Sequence, residues 1–119
     1  MRLVLPYPPQ INNYYIPRGK GRYISPQGKG FRNLVYWLAL EQDGAQGLTG
    51  RLRVTLHFEL PDKRRRDLDN VLKPLFDALG AAGVYEDDSQ IDELHVTREI
   101  GKRPGKTVID IEIIEGAYL

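Results

Sequence analysis

A chain of 119 residues, 41% hydrophobic and 28% charged, has the makeup of one globular domain around a single packed core, which excludes a disordered tail and a fibrous repeat. No apolar run approaches the ~18 residues of a membrane span, and Met1 leads into Arg2-Leu3-Val4 with no signal-peptide layout, so a cytoplasmic protein with no membrane partner is expected. The net charge of +1 hides a split, because residues 1–66 carry 12 basic and 4 acidic side chains while residues 67–119 carry 5 and 12.

In chain order, Arg2 to Leu5 reads as a short strand stopped by Pro6, Pro8 and Pro9, and a loop with Asn12-Asn13 follows. Tyr14-Tyr15-Ile16 and Arg22-Tyr23-Ile24 flank Pro17-Arg18-Gly19-Lys20-Gly21, a β-hairpin pattern with a basic tip. Ser25 or Pro26 opens a helix to about Asp43, whose apolar stripe is Phe31, Leu34, Val35, Leu38 and Ala39, with Trp37 beside it as a half-buried core residue.

From Leu52 to Leu60 apolar residues alternate with Arg53, Thr55, His57 and Glu59, the clearest strand in the chain. Leu68, Val71, Leu72, Leu75, Phe76 and Leu79 form one apolar stripe on a second helix, opened by Asp67 or Asp69 as cap and expected to kink near Asn70 because Pro74 interrupts its hydrogen bonding. A short extended piece after Gly83, a strand near 91–100, a turn at 101–105 and a last strand over 107–114 complete the chain. The order predicts a single-domain α+β fold over residues 1–119, a mixed or mostly antiparallel sheet with two helices on one face.

The chemistry concentrates in Asp62-Lys63-Arg64-Arg65-Arg66-Asp67-Leu68-Asp69-Asn70, where a basic run meets two carboxylates at a helix start. Adjacent cations repel one another and suit phosphate, although a solvated loop reads the same way. Asp67 and Asp69 share one face if the segment is extended and diverge by about 200° on a helix; cap and ion pair is their plainer role. Tyr85-Glu86-Asp87-Asp88-Ser89-Gln90 supplies further acids in the loop after the second helix.

With no cysteine and only His57 and His95 as imidazoles, a metal would have to be held mainly by carboxylates. Hard oxygen ligands suit Mg²⁺ or Mn²⁺, and carboxylates beside phosphate-binding cations suit metal-assisted phosphodiester hydrolysis. Lys73 lies four residues after Asp69, placing its ammonium on that carboxylate's side of a regular helix, either as a stabiliser of developing negative charge or as a surface pair. His57, His95 and Phe76 read as structural, while Tyr14, Tyr15 and Tyr23, interleaved with Arg and Lys, suit sugar or unstacked bases.

The block Lys63-Arg64-Arg65-Arg66-Asp67-Leu68-Asp69-Asn70, then Lys73-Pro74-Leu75, Phe76-Asp77-Ala78-Leu79 and Tyr85-Glu86-Asp87-Asp88-Ser89-Gln90-Ile91, resembles the RusA family of Holliday junction resolvases. Pro8-Pro9, Asn12-Asn13 and Tyr14-Tyr15 extend the likeness towards the start. The resemblance implies a Mg²⁺-dependent endodeoxyribonuclease, with Mn²⁺ as a substitute and no small-molecule cofactor, acting as a homodimer that nicks opposed strands of a four-way DNA junction in recombination or repair.

Carried over by position, the resemblance implies metal-holding catalytic carboxylates at Asp67, Asp69 and Asp88 and a catalytic lysine at Lys73, with Asp87 as an adjacent acid. The basic run and the aromatic–basic hairpin, read from their own residues, are expected to contact DNA at Lys63, Arg64, Arg65, Arg66 and Asn70, and at Asn13, Tyr14, Tyr15, Lys20 and Arg22. Pro74 and the compact hairpin depart from some members of the family. Two rival readings are a junction- or single-strand-binding module without cleavage, and a structural α+β domain whose charges form internal ion-pair networks.

Overall fold

The computed structural model describes residues 1–114. Its elements are strand β1 (Arg2–Leu5), the one-turn helix α1 (Ile11–Tyr14), strands β2 (Tyr15–Arg18) and β3 (Gly21–Ile24), helix α2 (Pro26–Glu41), strand β4 (Arg51–Leu60), helix α3 (Asp69–Ala81), a 3₁₀ turn (Asp88–Gln90), and strands β5 (Ile91–Ile100) and β6 (Lys106–Ile114). No helix among the described residues is long and apolar enough to cross a membrane.

Four strands form one mixed sheet in the order β1-β6-β4-β5, and β2 and β3 form a separate hairpin. β4 runs antiparallel to β6 and parallel to β5, so α3 is the crossover that a parallel pair requires. The period-two pattern of β4 turns Leu52, Val54, Leu56, Phe58 and Leu60 to one face, where Ile109 and Ile111 of β6 and Leu3 and Leu5 of β1 join them in the core.

Helices close that face. α2 contributes Phe31, Val35 and Ala39, and α3 contributes Val71, Leu75, Ala78 and Leu79. Ser25 caps α2 as expected, accepting the Gly28 N–H at 2.9 Å, with Pro26 in the first turn. A Cβ on Gly28 would stand 2.5 Å from the Tyr14 carbonyl oxygen, so the close approach of α1 to α2 depends on that glycine.

The other face of the sheet is open and charged. Arg2 pairs with Asp110 at 2.9 Å, Arg53 with Glu93 at 2.9 Å and Glu112 at 3.5 Å, and Lys106 with Glu59 at 3.0 Å. His57 lies 2.7 Å from Thr97 and 3.2 Å from Glu99, in the structural place expected for it. Much of the two-sign asymmetry of the sequence cancels here. Among the described residues, however, Arg18, Lys20, Arg22, Lys29, Arg32, Lys63 and Arg65 form no ion pair.

Five local expectations are corrected. The Asn12-Asn13 segment is a helical turn, because the N–H groups of Asn13 and Tyr14 both donate to the Gln10 carbonyl, at 2.9 and 3.0 Å. That turn draws Tyr14 wholly into the core, so it is not a surface base contact. Trp37 is 65% exposed: α2 buries the narrow row Phe31, Val35, Ala39, which leaves Leu34 and Trp37 outside it. Neither Asp67 nor Asp69 caps α3 with its side chain; Leu68 stands at the cap and Asp69 in the first turn. Pro74 sits inside an uninterrupted α3, and the irregularity near Asn70 takes the form of a tight first turn, Asn70 and Val71 donating to carbonyls three residues back at 3.3 and 3.5 Å.

Candidate active site

The chain leaves β4 at Leu60 and turns through the basic run before α3 begins. Asp62 organises that turn, accepting the Arg64 backbone N–H at 3.0 Å and the Arg66 guanidinium at 2.8 Å. These two donors hold its carboxyl below the usual carboxylate range. Arg66 is therefore turned inward, stacked 5.6 Å from the Tyr7 ring centroid, with its Nε buried and without a partner. Lys63, Arg64 and Arg65 stay exposed around a cleft of about 310 Å³. Arg98 of β5 reaches the same cleft and donates to the Arg66 carbonyl, a cation the sequence pattern gave no reason to place there.

A second cleft, of about 280 Å³, opens where α3 meets the loop before β5. Lys73 and Asp77 lie one turn apart on α3, with Nζ to Oδ1 at 3.1 Å, and Asp88 approaches the same ammonium at 3.8 Å. Arg32 of α2 and the buried ring of Tyr14 line the cleft as well, and the Tyr14 hydroxyl is buried without a hydrogen-bond partner.

The loop holding Asp88 is fixed from both sides. The Tyr85 hydroxyl donates to the Phe76 carbonyl at 2.7 Å, and burial pushes its pKa far up. Gln90, itself buried, accepts the Glu86 and Asp87 N–H groups at 2.9 and 2.8 Å and donates to the Leu48 and Gly50 carbonyls at 3.0 and 2.9 Å. Asp87 accepts the Ser89 N–H at 2.9 Å, which keeps its carboxyl ionised to lower pH and engages it as a cap.

Asp77 is the acid that sequence reasoning missed. Burial first, then the negative charges of Asp88 and Asp87, push its pKa up to about 6. The signal was present in the spacing, since Asp69, Lys73 and Asp77 stand at i, i+4 and i+8 on one helix face.

Asp67 and Asp69 are exposed at the opening of α3, and Asp69 lies about 6 Å along the axis from Lys73. Neither joins the contacts of Lys73, and among the described residues no three acids or imidazoles stand close enough to share an ion. The donor chemistry nevertheless fits Mg²⁺, which is commonly held by one or two carboxylates with waters and substrate phosphate completing the octahedron. Repelling carboxylates in a half-buried cleft are the chemistry that a divalent cation relieves.

The remaining expected DNA contacts lie on the hairpin and its approach. Asn13, Lys20 and Arg22 are exposed and Tyr15 is half-buried, with the Arg22 guanidinium stacked 4.1 Å from the Tyr15 ring centroid. Asn70 is half-buried in the first turn of α3.

Known proteins resemble this chain over most of its length. The family model described as Endodeoxyribonuclease RusA matches residues 6–112. A crossover junction endodeoxyribonuclease of Enterobacteria phage HK97 is 40% identical over 114 residues, covering 96% of this chain and 95% of that protein. The similarly named proteins of Shigella sonnei (strain Ss046) and Escherichia coli (strain K12) are 33% and 32% identical over 109 residues, each covering 92% of this chain and 91% of the relative.

Proposed function

The chain belongs to the RusA family of endodeoxyribonucleases, and from that premise we propose that it resolves four-way DNA junctions as a Mg²⁺-dependent homodimer making paired nicks in opposed strands. Such an activity implies binding of branched DNA and a divalent metal requirement, for which Mn²⁺ is the expected substitute. The observation that carries the reading is the position of Lys73 between Asp77 and Asp88, in a cleft also lined by Arg32, which forms no ion pair among the described residues.

Of the three acids the family resemblance implies as metal ligands, Asp88 lies in the cleft while Asp67 and Asp69 stand apart at the opening of α3, so a shared ion would require them to be drawn together on DNA binding; held there, it would lower the pKa of a water and offset charge on the scissile phosphate. Asp77 keeps the Lys73 ammonium at the cleft through their 3.1 Å contact. From there Lys73 Nζ donates to a non-bridging phosphate oxygen as negative charge builds there. Lys63, Arg64 and Arg65 hold the flanking backbone, and Arg66, pinned to Asp62, supports the loop that presents them. Hydrolysis adds the water oxygen to phosphorus and breaks one P–O ester bond; a carboxylate or solvent takes the water's proton, and the departing sugar oxygen takes a proton from solvent to leave as a hydroxyl.

Three synthetic DNAs test the reading: a four-way junction, a linear duplex and a single strand, each with and without Mg²⁺. Cleavage of the junction alone, dependent on Mg²⁺, is the expected result. Asp69→Asn should keep junction binding and lose at least about a hundredfold in cleavage rate. Cutting by that variant at the wild-type rate would remove Asp69 from the assignment. Salt-sensitive junction binding with no product at any metal concentration would mean a binding module instead.

A further inference from the structure

We propose that the β2–β3 hairpin carries a pocket for one unstacked nucleobase of the DNA substrate, with the Tyr15 ring as its stacking face. The inference rests on the junction-cleaving reading and adds how a branched substrate would be distinguished from a linear one.

The pocket lies between α1 and the hairpin, with Ile11, Pro17 and the Tyr15 ring among its walls and Asn12, Lys20 and Arg22 among its polar lining. At about 390 Å³ it falls within the ~300–1,000 Å³ of small-ligand sites. The Arg22 guanidinium, a flat delocalised group, already rests over the Tyr15 face at 4.1 Å from the centroid, so that face accepts a planar π-system at stacking distance. A nucleobase is such a group, and base–aromatic stacking is tolerant of sequence.

Charge and position point to the same occupant. Lys20 and Arg22 are exposed and form no ion pair among the described residues, and no acid precedes Glu41 in the chain. Lys20 is therefore available to the phosphates beside an inserted base, and Arg22 becomes so when that base takes its place on the Tyr15 face. The pocket also adjoins the acidic cleft: Tyr15 directly follows Tyr14, and Ile24, paired with Tyr15 in the hairpin register, lines that cleft beside Lys73 and Asp88. A strand whose phosphate sits at Lys73 thus passes the mouth of the pocket. Extracting a base from intact duplex costs a few kcal/mol, and that cost is smallest where bases are already unpaired. A branch point is such a place.

The test uses four-way junctions with 2-aminopurine at successive positions around the branch, bound to the full chain without divalent metal. Wild-type protein should change the probe's emission at one position, Tyr15→Phe should retain the change, and Tyr15→Ala should abolish it. Tyr15→Ala should also weaken junction binding about tenfold while duplex binding stays within about twofold. Because the Tyr15 ring also packs edge-on against Tyr14 at 4.7 Å, Tyr15→Leu keeps bulk in place while removing the π-face, and should fail in the same way. Equal loss on junction and duplex, or unchanged emission with Tyr15→Leu, would overturn the pocket. If wild-type protein cuts junctions in Mg²⁺ while Tyr15→Leu cuts and binds as well as it does, only the pocket is lost; if wild-type protein neither prefers nor cuts junctions, the parent reading fails first.

Discussion

Lys73 has a carboxylate one turn away on either side, Asp69 before it and Asp77 after, and it pairs with Asp77. Spacing alone could not choose between them, and Asp88, which joins the contact from 15 residues on, is brought there by tertiary folding. Asp77 carries a testable titration. Its carboxyl moves from an ordinary value of 3.8 to about 6 on folding, so the native state binds the proton more tightly and metal-free stability falls as pH rises from about 4 to about 6. Asp77→Asn should flatten that slope in thermal melts with EDTA. It should also loosen Lys73 and slow cleavage about tenfold with junction affinity retained; a variant with the wild-type pH slope would show that Asp77 is not the titrating group.

At the scale of elements, the junction of α1 with α2 sets where the hairpin starts, and it depends on Gly28. A methyl there meets the Tyr14 carbonyl oxygen at 2.5 Å and Ile24 Cγ2 at 2.8 Å. Gly28→Ala should cost about 1–3 kcal/mol in denaturant unfolding and disturb the hairpin, whereas Gly30→Ala, with open space around it, should not destabilise. Strand β4 and the stripe of α3 were legible in the sequence because nine and twelve residues of regular alternation or recurrence leave only one geometry that buries them. Leu34 and Trp37 were misread for a related reason: periodicity gives the direction of a helix's apolar face, and its width depends on what packs opposite. Tyr14 was missed because a one-turn helix is too short to have a period, and the inward turn of Arg66 depends on Asp62, which composition treats as one more surface charge. Asp88 was among the acids named from motif order, but its approach to Lys73 required the α3-to-β5 loop that Gln90 secures.

Across the whole molecule, charge is sorted by face. The open side of the sheet is paired off, while among the described residues the hairpin, the start of α2 and Lys63 and Arg65 of the loop before α3 keep their cations without an ion pair. Replacing Lys63 and Arg65 by alanine should lower the slope of log affinity against log salt by about 2 for any DNA tested, and an unchanged slope would mean that neither touches phosphate. The proposed dimer is checked by sedimentation at working concentration. A single-chain species that still makes paired nicks would rule it out. The neutralised sheet face has a practical use, since a molecule with one cationic side approaches DNA in a preferred orientation and leaves its far side to solvent. Thr55, exposed in the middle of that far side, is accordingly a position for a dye or a surface tether that should leave the approach to nucleic acid unobstructed.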